Sequence, residues 1–177
     1  MSAGSRPLER IVVSATSPDR KISVTLSGGD QIDLRFEPRA YRTYSETTLA
    51  HQLEQLATLT WVAYRRDYFK AVSEAVGEVV RGDESQPGSR VAAYKQAQAA
   101  LDVWGRSAGG WVEAASQGLF RWQVWVAPET CRRLTEEQFR QEADSALRAL
   151  LMDYDEKLAA LRDEFFQRRR PAADGWD

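Results

Sequence analysis

The sequence predicts an α+β protein of two related units, each an antiparallel β-sheet followed by a long α-helix, joined as an intramolecular pseudo-dimer. Three observations predict it. Apolar residues alternate between Ile11 and Phe36, long helix-compatible runs follow Ser45 and Thr135, and the second half repeats the first 90 positions later.

Residues 1–9 read as a disordered lead-in. Ile11, Val13 and Ala15 alternate with polar neighbours, and Ser17, Pro18 and Asp19 form a turn. Ile22, Val24 and Leu26 alternate in the same way. Gly28, Gly29 and Asp30 make a tight reversal, for which glycine supplies positive φ. Ile32, Leu34 and Phe36 complete a three-stranded meander, and Pro38 ends it because it has no N–H for a ladder bond. Ser45 is a suitable N-cap and Glu46 suits the positive end of a helix dipole. The helix is expected to run to about Arg81, tolerating Gly77. Its stripe is Leu49, Leu53, Leu56, Leu59, Val62, Phe69, Val72, Val76 and Val80. At 1.5 Å per residue it would extend on the order of 50 Å and overhang a three-stranded sheet.

Residues 82–88, rich in Gly, Ser and Pro, read as a linker. Ser89 can cap a second helix, expected to run to about Trp104 before the Gly109, Gly110 break. A two-stranded hairpin is expected next: Trp111–Ser116, a turn at Gln117 and Gly118, then Leu119–Val126. Phe120, Trp122, Val124 and Val126 would share one face of that last strand, with Leu119 and Trp125 burying the other. Thr135 and Gln138 have capping-box spacing at the start of the final helix. Along it Leu147, Leu151, Tyr154, Leu158, Leu161 and Phe165 recur in steps of four and three, a heptad seam that predicts a helical partner. The domain reading is therefore 1–9 disordered, 10–81 first unit, 82–88 linker, 89–169 second unit and 170–177 disordered tail.

The repeat aligns without a gap from Pro38 on Pro128. Arg42 falls on Arg132, Ser45 on Thr135, Glu46 on Glu136, Leu49 on Phe139 and Tyr64 on Tyr154. A thin layer of three strands and one helix cannot bury itself, so the two units are expected to cover each other. Arg65, Arg66 and Asp67 lie opposite Asp155, Glu156 and Lys157. That inversion either pairs the two long helices or marks two solvated faces.

Little in the composition points to catalysis. His51 is the lone histidine and Cys131 the lone cysteine, which leaves no material for a histidine triad, a histidine-rich metal site or an internal disulfide. His51 reads as a surface residue and Cys131 as a small, partly buried loop residue. No phosphate-cradling glycine loop occurs, and neither a cofactor nor a metal is expected. The net charge of −2 supplies no global field toward nucleic acid or anionic lipid. No apolar run is long enough to span a membrane, so a cytoplasmic protein is expected.

Two kinds of binding residue stand out. Arg39 and Arg42 precede the first long helix and Arg132 and Arg133 the last, where helix starts favour phosphate. The same arginines can instead pair with nearby carboxylates such as Glu46 and Glu136. Arg168, Arg169 and Arg170 could contact a nucleic-acid backbone or complement a helix C-terminus. Trp61, Tyr64, Tyr68 and Phe69 combine rings with Arg65 and Arg66 on one helix. Together with the seam from Leu147 to Phe165 they are expected to form protein interfaces, base stacking being the alternative.

The Ser17-Pro18-Asp19 turn, the Val24–Gly29 strand and turn, the Asp33–Phe36 strand and the helix opening at Glu46–Leu53 resemble the YbaB/EbfC nucleoid-associated family. The likeness covers roughly residues 10–75 and is nearest the actinobacterial forms, including the EspD/EspH proteins of type VII secretion. It implies a sheet with long helices that dimerises through its sheets, and sequence-tolerant binding of duplex DNA in the nucleoid. For secretion-linked members it implies an accessory or chaperone role toward a protein partner. Family members normally begin with a helix before the first strand. The chain is accordingly expected to be non-enzymatic, and either a monomeric pseudo-dimer or a homodimer.

Overall fold

Two serines 90 positions apart organise the two halves in the same way. Ser17 Oγ accepts a hydrogen bond from Ile22 N at 3.0 Å, and Ser107 Oγ accepts one from Val112 N at 3.1 Å. Each closes the turn between the first and second strands of its unit, and the backbone bonds around it match: Ser17 N to Ile22 O at 2.8 Å and Ser107 N to Val112 O at 2.9 Å. The computed structural model describes residues 11–28, 30–76 and 88–166.

The element order is β1 (Val12–Thr16), β2 (Ile22–Ser27), β3 (Gln31–Phe36), α1 (Glu46–Val76), α2 (Arg90–Ala99), β4 (Asp102–Arg106), β5 (Val112–Gln117), β6 (Arg121–Val126), α3 (Thr130–Arg133) and α4 (Glu136–Phe166). Strands and long helices start at 12 and 102, 22 and 112, 31 and 121, 46 and 136, so the offset of 90 holds throughout. Each sheet is an antiparallel meander, β1-β2-β3 and β4-β5-β6. The special backbone positions repeat as well. Gly28 and Gly118, Arg39 and Glu129, and Arg20 and Gly110 all have positive φ.

The capping residues act as their types require. Ser45 Oγ accepts from Thr48 N at 3.2 Å and Ser89 Oγ from Ala92 N at 3.1 Å. The capping box is reciprocal: Gln138 N donates to Thr135 Oγ1 at 3.2 Å, and Thr135 N to Gln138 Oε1 at 2.8 Å.

The structure departs from the sequence expectation in the second unit. The helix from Ser89 ends at Ala99 rather than Trp104, and residues 102–106 form β4, so the second unit has three strands. Trp104 falls at helical spacing from Leu101, Gln98 and Tyr94, which suits a helix, but Asp102–Arg106 alternates exposed and buried and is decided by pairing with β5. Leu119 lies in a turn with φ of 63°, and its buried side chain joins the core instead of a strand face. β6 is buried on one side only, with Trp125 outward. On α1, Leu59 and Val62 are exposed although they fit the stripe.

The heptad seam of α4 is not a coiled coil with α1. Among the described residues α1 lies on β1 and on β6 of the other unit, while α4 lies on β4 and β5, touches β3 and carries α2 along its later turns. A stripe in steps of three and four is one apolar face, and a sheet covers it as well as a helix does. Nor do the inverted charges join the long helices: Arg66 pairs with Asp67 at 3.0 Å and Lys157 with Asp153 at 2.8 Å.

One core serves both units. Ile22, Val24, Leu34, Tyr41, Leu49 and Leu56 pack in the same cluster as Val112, Cys131, Phe139 and Ala146. Polar contacts cross the same boundary. Glu54 Oε1 accepts from Val124 N on β6 at 3.0 Å, and Arg140 meets Asp33 on β3 at 3.0 Å. Gly105 admits α4 at very close range, for a Cβ there would stand 2.3 Å from Leu150 N and 2.4 Å from Ala146 O. Residues 1–9, Gly77 to Arg81, the linker up to Pro87 and the tail, including Arg168, Arg169 and Arg170, lie outside the described residues.

Candidate interaction surfaces

The starts of α1 and α4 meet, because the loops before them bond to each other. Tyr41 OH donates to Thr130 O at 3.3 Å, and Arg42 donates to Cys131 O at 2.9 Å and Arg132 O at 3.0 Å. Glu46 Oε1 accepts from Cys131 N at 3.1 Å. Arg39, Arg42, Arg132 and Arg133 therefore belong to one end of the molecule, but three of them have local duties. Arg42 holds carbonyls, Arg132 reaches Glu129 at 3.3 Å, and Arg133 lies 5.2 Å from the Trp111 ring centroid. Pairing with a nearby carboxylate is found at Arg132, whose partner is Glu129, while Glu46 accepts from a backbone N–H.

The neighbouring ionisable groups are structural. Burial pushes the Cys131 thiol up to about 11, with the Glu46 carboxylate adding to it, so the sulfur is a neutral thiol near pH 7. Burial likewise raises the Tyr41 hydroxyl to about 12. His51 is exposed on α1 and bonded to Gln55 at 2.7 Å. Among the described residues no group of three or more His, Cys, Asp or Glu could hold a metal ion. No helix described is long and apolar enough to cross a membrane.

A second surface is aromatic. Trp61, Tyr64, Tyr68 and Phe69 of α1, with Phe120 and Tyr154, line a groove of about 550 Å³. Trp61 stacks on Tyr64 with centroids 5.6 Å apart, and Arg65 sits 4.6 Å from the Phe120 centroid and 5.4 Å from that of Phe69. The structure thus brings the aromatic candidates of α1 together. The seam of α4 divides. Leu147 and Leu151 line the interior, Tyr154 reaches the groove, and Phe165 meets Tyr94 of α2 with centroids 5.8 Å apart. Leu158 and Leu161 are half-buried.

The third surface was missed from sequence. Register puts Trp104, Ala115 and Gln123 side by side on the outward face of the second sheet, with Trp125 diagonal to Trp104 across β5. Trp104 is 51% and Trp125 48% exposed, far beyond what an indole normally shows. Beside Trp104, a depression of about 610 Å³ is lined by Ala115, Gln117, Arg121, Gln123 and Lys157. The charges here are largely balanced: Arg106 faces Glu113 at 3.3 Å, and Lys157 binds Asp153. Burial alone would raise the Asp153 carboxyl, but hydrogen bonds from Lys157 and Trp104 N hold it below the ordinary range. On the first sheet the same positions are Ser14 and Arg35, and Ser14 bonds to Thr25 at 3.1 Å. The signal was available in the repeat: placing Trp104 on Ser14 assigns it to a strand and turns it outward. Comparison of this chain with family models, with curated proteins and with solved structures finds no match.

Proposed function

We propose that this chain is a non-enzymatic protein-interaction module of YbaB/EbfC type, its two units standing as an intramolecular pseudo-dimer, and that it acts as an accessory or chaperone protein. The observation that carries this is the outward face of the second sheet, where Trp104 and Trp125 are exposed, Trp104 lines a depression, and the equivalent positions of the first sheet are polar. Exposed tryptophans on a rigid sheet are the anchors protein interfaces favour. The balanced charges around them suit a neutral polypeptide better than a phosphate backbone. The family part of the proposal is supported by the order of the second unit, helix α2, three strands, then the long α4, which is the order the resemblance implies.

The test uses the chain's own first sheet. Trp104→Ser with Trp125→Arg installs the residues found at positions 14 and 35. The double variant should unfold at the wild-type temperature yet lose retention of a partner captured from nuclease-treated native cytosol and then re-bound in purified form. Undiminished binding of the purified partner would refute the assigned face.

A second reading, sequence-tolerant binding of duplex DNA, is favoured by the meeting of the two helix starts with Arg39, Arg42, Arg132 and Arg133 at one end. It predicts a salt-sensitive shift of a DNA fragment at low ionic strength, reduced by Arg39→Ala with Arg132→Ala. Unchanged DNA mobility at micromolar protein excludes it.

A further inference from the structure

The aromatic groove of about 550 Å³ has the size of a small-molecule site and the lining of one, apolar walls with a few polar groups among them. Part of it is a row on α1, where Trp61, Tyr64 and Tyr68 follow one another in steps of three and four, with ring centroids 5.6 Å and 6.4 Å apart. The rest includes Gln98 and Ala99 of α2, Tyr154 of α4 and Phe120 of the turn between β5 and β6. Gln98 Nε2 donates to Tyr154 OH at 2.9 Å, which ties α2 to α4 and holds that part of the lining in place.

Arg65 is the charged member of this set. It is half-buried, it lines the groove, and its guanidinium carbon stands 4.6 Å from the Phe120 centroid and 5.4 Å from that of Phe69. Rings attract the charge without taking up the five N–H donors in ordinary hydrogen bonds. Among the described residues no acceptor takes the Arg65 side chain, whereas Arg66 beside it pairs with Asp67 at 3.0 Å. No Asp or Glu among the described residues lines the groove, although the chain as a whole is net negative. Burial raises the Tyr154 hydroxyl and the Arg65 charge works against that rise, so the field of the guanidinium reaches the α4 side.

The repeat shows that the scaffold does not require this set. Ninety positions on, Arg65 is replaced by Asp155, Tyr68 by Leu158 and Phe69 by Ala159, and Phe120 stands where the first unit has Asp30. The arginine and its two rings are thus present at one of two equivalent positions and missing from the other. An arginine that is held by rings and left without an acid is built to meet an anion.

We propose that this groove binds a small planar aromatic anion, its ring against the row from Trp61 to Tyr68 and its anionic group on the N–H donors of Arg65. The site is separate from the outward face of the second sheet and from the arginine end, and it does not depend on what either of them contacts.

Two probes of one shape test it on the full chain by titration calorimetry. Naphthalene-2-sulfonate carries the charge and naphthalene-2-sulfonamide does not. The sulfonate should bind about tenfold more tightly, the worth of a charge-assisted hydrogen bond. Arg65→Met, which keeps an apolar stem against the rings, should bring the sulfonate down to the affinity of the sulfonamide, and Arg65→Lys should keep part of the preference. Arg66→Met removes the same charge one residue away and should leave the preference intact. Ala99→Trp fills the groove from an exposed position on α2, so it should unfold at the wild-type temperature and bind neither probe, a reading independent of the arginine. No saturable heat with the sulfonate at millimolar concentration would overturn the proposal, as would equal affinity for the two probes. A preference that survives Arg65→Met, one lost equally in Arg66→Met, or undiminished binding to Ala99→Trp would do the same.

Discussion

A few single residues fix how the elements of each unit sit together, and each can be tested. Gly105 is the point where helix backbone and strand backbone touch, and a methyl there would overlap Leu150 N. Gly105→Ala is therefore expected to lower stability by about 3 kcal/mol, read from denaturant unfolding. Its counterpart Ala15 bears a Cβ at the equivalent position of β1. Asp19 is a hub at the first turn, accepting hydrogen bonds from Ser17 Oγ at 2.6 Å, from Lys21 N at 3.1 Å and from the Tyr44 hydroxyl. Burial alone would raise its carboxyl, but these bonds hold it below the usual range. A carboxyl depressed in the folded state stabilises the fold above the unfolded value near pH 4, and the contribution is lost as pH falls through the folded value. Asp19→Asn should therefore reduce stability at pH 7 and flatten the loss as pH falls below about 4, measured by unfolding at successive pH values.

At the scale of elements, the sheets leave edges that the long helices must manage. β6 is an edge strand, and the N–H of Val124 is met by Glu54 of α1, a residue of the other unit. Glu54→Ala should cost about 2 kcal/mol, the charged acceptor of a half-buried N–H having been removed, and exchange protection at Val124 should fall with it. The same scale separates the two sheets by their outward faces. One carries Ser14, Thr25 and Arg35 where the other carries Trp104, Ala115 and Trp125, although their strands match in length and register. Equal scaffolds with unequal faces are what division of labour after duplication would leave.

For the whole molecule the shared core is decisive. Tyr41 and Phe139 lie with ring centroids 5.3 Å apart, Phe36 and Phe139 at 6.0 Å, and the cluster around them draws on both units. A single unit would expose this face to water and retain one three-stranded sheet with one long helix, to which the second adds only the short α2 and α3, too little for independent stability. Fragments 1–81 and 82–177 should therefore show little cooperative unfolding alone and regain it when mixed, followed by circular dichroism. A cooperative transition in either fragment by itself would show that the core is not shared in the way described.

Much of this was legible along the chain. Pro38 and Pro128, the caps Ser45, Ser89 and Thr135, and the alternation through Ile22–Leu26 are local signals, and they determined the two long helices, the first meander and the offset of 90. Local chemistry suffices there because caps, turns and periodicity act over a few residues. Other features were decided only by tertiary structure. Trp104 fits a helix or a strand, and pairing of Asp102–Arg106 with β5 made it a strand residue facing outward. The seam from Leu147 to Phe165 specifies an apolar face but not its cover, which proved to be β4, β5 and α2 rather than the other long helix. Arg42 reads as a phosphate ligand until the second loop arrives with carbonyls for it. For Trp104 and the seam the deciding partner lay elsewhere in the second unit, and for Arg42 it came from the other unit. The sequence by itself determined caps, turns and apolar faces, while a contact between residues distant in the chain leaves no mark in the residues beside it.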